Sequence, residues 1–178
     1  MTKIFVLSLH RSGTQSTGQF LRDAGFRVCE WLSGINGIDY QAQVVGLETK
    51  RSRIVDLLRP AFAGFEVFKD VPVPALYREL DRTYPDARFI VVERDARDWV
   101  RSVRRHCAGR PLDPYERVQY WHYLKDKPQS LDAVSDERLV DMHRRHHQAL
   151  ARQFAGRDDF IAVDMADPEI GAKLSAFL

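Results

Sequence analysis

Residues 3–17, Lys3-Ile-Phe-Val-Leu-Ser-Leu-His-Arg-Ser-Gly-Thr-Gln-Ser-Thr17, decide the reading of this chain. The apolar run from Ile4 to Leu7 is continuous and rich in branched and aromatic side chains, the pattern of a strand buried on both faces. It runs straight into His10-Arg11-Ser12-Gly13-Thr14, with a helix expected to start within Ser12–Thr14 and to stop near Gly25. A strand, a tight glycine turn and a helix start present several backbone N–H groups to one point. Arg11 adds a permanent cation, and Ser12, Thr14 and Ser16 add hydroxyls. That combination suits a phosphate or sulfate group. It is not GxxxxGK[ST], because Arg11-Ser12 precede Gly13 and no lysine follows it.

A second basic element follows the strand-like run Phe89-Ile90-Val91-Val92. Arg94 leaves that strand, and Ser102 lies eight residues on, inside a helix expected over Asp98–Cys107. Either residue alone has an ordinary account. Arg94 could pair with Asp95 or Asp98, and Ser102 could be a plain helix residue. A loop that folds both toward one anion gives the pair its interest. Trp99 between them reads as a core anchor.

The remaining strands are expected near 65–69 and 159–163, with a short one over Phe26–Cys29. None alternates as a half-wet antiparallel sheet would, and helices separate them. The expected fold is therefore three-layer α/β/α around a central parallel sheet, one domain over residues 1–178. Ligands in such folds sit beyond the C-terminal strand ends. There stand His10-Arg11-Ser12, Lys69-Asp70 and Glu93-Arg94-Asp95. A helix over Arg51–Leu58 is expected to stop before Pro60, and another to run from Val73 to Thr83. The segment Tyr115–Tyr123 reads as a helix covering a site. Ser135 reads as the N-cap of the longest helix, ending near Phe154, and Pro168 as the first turn of the last one.

Bulk properties narrow the field. The chain has 178 residues and a net charge of +2, too near balance to argue for nucleic acid or an anionic membrane. Two cysteines, Cys29 and Cys107, give neither a disulfide framework nor metal-site spacing. Lys3 precedes too short an apolar run for a signal peptide, and no stretch approaches a membrane span, so a cytoplasmic location is expected. His143 and His147 are four apart, a ligand-capable spacing. Without HExxH, a solvated helix face is the favoured reading. The basic run Arg101, Arg104, Arg105, His106 and Arg110 could draw in a polyanion or be an ordinary wet face. Lys69 is expected to face solvent.

Taken together, the Arg11-Ser12-Gly13-Thr14 loop, the Arg94/Ser102 pair and the wider stretch from Tyr84 to Ser102 resemble a sulfotransferase. The family's donor is 3′-phosphoadenosine 5′-phosphosulfate (PAPS). The resemblance implies that Arg11, Ser12, Gly13, Thr14, Gln15 and Ser16 bind the 5′-phosphosulfate, and that Arg94 and Ser102 bind the 3′-phosphate. Asp70-Val71-Pro72 matches the family's strand end that carries the base, so Asp70 inherits that role, with His10 as the rival. It further implies in-line transfer of a sulfuryl group to a hydroxyl of a small molecule or glycan, with no metal. Ser16 stands where many members place an adenine-stacking Trp, and a late Arg-Lys-Gly segment is missing. The competing readings are a small-metabolite kinase, which would need a loop lysine, and a non-catalytic nucleotide-binding protein.

Overall fold

The computed structural model describes residues 2–178. Five strands form one parallel sheet: β1 (Ile4–Val6), β2 (Val28–Cys29), β3 (Val67–Phe68), β4 (Arg88–Glu93) and β5 (Phe160–Asp164). Their spatial order is β2-β3-β1-β4-β5, so β1 lies between β3 and β4. The pleat divides the buried runs between two faces. Phe5, Leu7, Phe68, Phe89 and Val91 face one layer, while Ile4, Val6, Val67, Ile90, Val92 and Val163 face the other.

Helices cover both faces. In chain order they are α1 (Thr14–Asp23), α2 (Tyr40–Val44), α3 (Arg51–Ala63), α4 (Tyr77–Thr83), α5 (Ala96–Cys107), α6 (Pro114–Leu124), α7 (Asp136–Gln153) and α8 (Ile170–Phe177). Leu21 of α1 and Leu174 of α8 pack on the Ile4/Ile90 face. The opposite layer carries an aromatic cluster in which Phe62 of α3 sits 4.2 Å, centroid to centroid, from Phe68. A third cluster joins Leu9 and Trp99 to α6 and α7.

Four expectations about the helices need correction. Helix α3 continues through Pro60 to Ala63. Pro60 lies on the exposed side, where water can serve the carbonyl that loses its donor, while Ala61 and Phe62 beyond it are fully buried. The expected Val73–Thr83 helix is split into a 3₁₀ turn, Val73–Leu76, and α4. The last helix starts at Ile170, two residues after Pro168.

The imidazole face of α7 is not solvated: His143 and His146 are 4% and 2% exposed. His146 Nε2 lies 2.8 Å from the Leu7 carbonyl, and the His143 ring packs on Trp99 and His147. Burial holds both imidazoles down at a pKa of about 3, with neighbouring imidazoles adding to it. His122, on α6, is lowered to about 4 by burial and then by Arg51 and Lys125. Their unfolded value is near 6.5, so the unfolded chain binds more protons below that pH and the stabilisation is complete only above it. Each such group costs up to about 1.4 kcal/mol per pH unit on acidification. The melting temperature should therefore fall on the order of ten degrees between pH 7 and pH 5.5. A thermal scan that stays level across that interval would contradict the buried, neutral state of these rings.

Candidate active site

The polypeptide leaves the sheet at Ser8, whose hydroxyl accepts from the Val92 amide at 2.8 Å. The loop that follows is held from behind. The Trp99 indole N–H donates to the His10 carbonyl at 2.8 Å, and Ser12 N–H donates to the Leu9 carbonyl. Two left-handed residues shape it, Arg11 (φ 65°) and Gly13 (φ 72°). Gly13 tolerates that conformation freely; for Arg11 it is uncommon and must be held by its surroundings.

Helix α1 then begins without a side-chain cap and with no acidic residue in its first turn. The helices α5, α6 and α7 are instead capped by Asp95, Asp113 and Ser135. The Ser12 hydroxyl, fully buried beneath the loop, has no hydrogen-bond partner within the protein. Amides without a side-chain acceptor, an orphaned hydroxyl and a cation together fit an anionic group at this point.

The second basic element arrives at the same place. Arg11 Nε donates to Ser102 Oγ at 3.3 Å, and Arg94 Nη1 donates to the Arg11 carbonyl at 2.9 Å. Arg94 therefore does not pair with Asp95 or Asp98. Asp95 caps α5 and Asp98 pairs with Arg101. The Nε of Arg94 is buried with no partner in the protein.

A cavity of about 670 Å³ opens at this edge. His10, Arg11, Gly13, Thr14, Gln15, Asp70 and Arg94 all line it. Ser12 lies under the loop and Ser102 behind Arg11, while Ser16 is exposed on α1 outside the lining. His10 Nε2 is 2.7 Å from the Tyr120 hydroxyl. Burial lowers its pKa to about 4, against an opposing pull from Asp70. Asp70 is also left-handed (φ 61°), and Lys69 Nζ meets its Oδ2 at 2.6 Å. The expectation that Lys69 faces solvent is wrong, because its side chain is wholly covered.

Sequence reasoning missed the far wall: Glu30, Trp31, Gln41, Asp113, Glu116 and Gln119. One signal was legible. Asp113 and Glu116 form a capping box at the start of α6, the spacing that marks a helix N-terminus. Glu116 also takes both terminal nitrogens of Arg110, at 2.8 and 2.6 Å. The basic run is otherwise largely paired, since Arg101 meets Asp98 and Arg104 meets Asp136. Among the described residues, no group of three or more His, Cys, Asp or Glu stands where it could hold a metal ion.

A family model described as the sulfotransferase domain matches residues 3–178. The chain belongs to the sulfotransferase family. It is an enzyme that moves a sulfuryl group from PAPS to a small-molecule acceptor. No curated protein matches this sulfotransferase in sequence. Among solved structures it is similar to shikimate kinase from Bacteroides thetaiotaomicron. The two are 12% identical, with a TM-score of 0.53 over 99% of this chain and 93% of that one. At that identity the likeness shows the fold alone: a parallel sheet between helices. In this sulfotransferase, no helix of the described residues is long and apolar enough to cross a membrane.

Proposed function

We propose that the two basic elements hold one PAPS molecule across the top of β1 and β4, and that Asp70 is the base of the transfer. The observation that supports this most is the contact between the clamps. Arg94 donates to the backbone of Arg11, and Arg11 donates to Ser102, so both sit within one hydrogen bond of each other. Arg11, the α1 amides and the Ser12 hydroxyl serve the 5′-phosphosulfate, joined by Thr14 and Gln15. Arg94 and Ser102 serve the 3′-phosphate.

When bound, PAPS supplies the sulfuryl group and the phosphate that leaves. The chain supplies the rest. The Asp70 carboxylate, on the cavity wall, takes the proton of an acceptor hydroxyl. Arg11 and the first-turn amides provide a fixed positive field for charge that develops during transfer. His10, neutral and engaged with Tyr120, is assigned to orienting the wall rather than to the proton. The acceptor is a hydroxyl compound, a small molecule or the end of a glycan. Trp31, Tyr115 and Tyr120 offer ring faces, and Gln41, Gln119 and Asp113 offer polar edges.

The test is ligand selectivity. In thermal-shift measurements, 3′-phosphoadenosine 5′-phosphate (PAP) should raise the melting temperature more than AMP, ADP or ATP at equal concentration. Equal shifts from PAP and AMP would remove the 3′-phosphate assignment.

A further inference from the structure

We propose that Lys69 is a positioning residue for the transfer step: its buried ammonium clamps one carboxylate oxygen of Asp70 and leaves the other turned to the acceptor. This rests on the reading of Asp70 as the base. Lysine is almost never fully buried unless paired, yet the Lys69 side chain has no exposed surface. Its Nζ stands 2.6 Å from Asp70 Oδ2 and 4.0 Å from Glu30 Oε1, and Glu30 is held in turn by Arg22. The row Arg22, Glu30, Lys69, Asp70 alternates in sign and leaves no net charge under the cavity floor. With its side chain wholly covered, Lys69 acts through the carboxylates it meets, Asp70 first.

The fold makes room for this contact at a cost. A Cβ on Gly18, inside α1, would fall 2.8 Å from Lys69 Cε and 3.1 Å from its Cδ. Glycine within a helix is unfavourable by about 1 kcal/mol against alanine. Here it leaves room for the lysine stem, which leaves the end of β3 and passes against α1 at Gly18. Because two carboxylates fix the ammonium, the stem cannot give way without lengthening the contact to Asp70. Asp70 itself has a left-handed backbone, and Lys69 Nζ holds its Oδ2 at 2.6 Å.

The experiment follows release of labelled sulfate from PAPS with water as acceptor, alongside calorimetric binding of PAP. Lys69→Met keeps the length and removes the ammonium. Turnover should fall by about 100-fold, the scale of a small misplacement at a reacting centre, while PAP affinity is retained. Lys69→Gln, which can still donate to Asp70, should recover part of the loss. Unchanged turnover in Lys69→Met, or a parallel loss of PAP affinity, would overturn the proposal.

If Lys69→Met does not fold, Gly18→Ala decides. It favours the helix yet pushes on the lysine stem, so reduced turnover with PAP affinity intact supports the clamp, and full turnover rejects it. An active Asp70→Asn would remove the base reading itself. An inactive Asp70→Asn beside a fully active Lys69→Met would remove only the role of Lys69.

Discussion

Arg11→Ala is expected to lower turnover by about 100-fold or more at saturating PAPS, the usual scale for losing one preorganised donor aimed at developing charge. Two observations set that size. Arg11 lines the cavity, and its guanidinium is directed by Ser102. Arg11→Lys should recover only part of the loss, since an ammonium cannot supply the planar set of donors. The left-handed backbone at Arg11 adds a control, because glycine adopts φ near 65° without strain. Arg11→Gly should therefore fold at least as well as Arg11→Ala and be equally slow. Activity in either that matches the unaltered protein would show that the loop guanidinium takes no part in transfer.

Asp70→Asn is the second large effect. General-base catalysis is worth about 10²–10⁴ in rate, and the amide cannot take the proton. Turnover should drop into that range while PAP affinity changes little, because Asp70 follows β3 while Arg94 and Ser102 follow β4, with β1 between them. His10→Ala is the comparison. Its ring is held neutral and already engaged with Tyr120, so its loss should cost less than that of Asp70. If His10→Ala proved the slower enzyme, the two residues would exchange roles.

Much of this architecture could be read along the chain because the decisive segments are local. Strands β1 and β4 are continuous apolar runs, and each leads into residues that line the cavity. Ser135 caps α7 as its chemistry suggests. What could not be read depends on residues distant in sequence. Lys69 looks like a surface lysine until Gly18 and Glu30 are seen to enclose it. His143 and His146 of α7 carry polar letters but pack as neutral rings against Trp99, Tyr123 and the Leu7 carbonyl. Pro60 interrupts the pattern of α3 without ending it, since burial of Phe62 outweighs one lost hydrogen bond on the wet side. The rest of the cavity lining comes from the irregular segment around Glu30–Gln41 and from α6 with its leading loop, which no periodicity links.

The central claim is that Arg11 and Arg94, from two different strand ends, grip one adenosine phosphorylated at both its 3′ and 5′ positions. Calorimetry of PAP and AMP binding to the unaltered protein and to Arg94→Ala tests it most directly. PAP should bind more tightly than AMP by at least about tenfold, as hydrogen bonds to a charged group are worth about 1.5–3 kcal/mol. Arg94→Ala should erase most of that preference and leave AMP affinity nearly unchanged. An undiminished preference for PAP in Arg94→Ala would place the 3′-phosphate elsewhere and contradict the account.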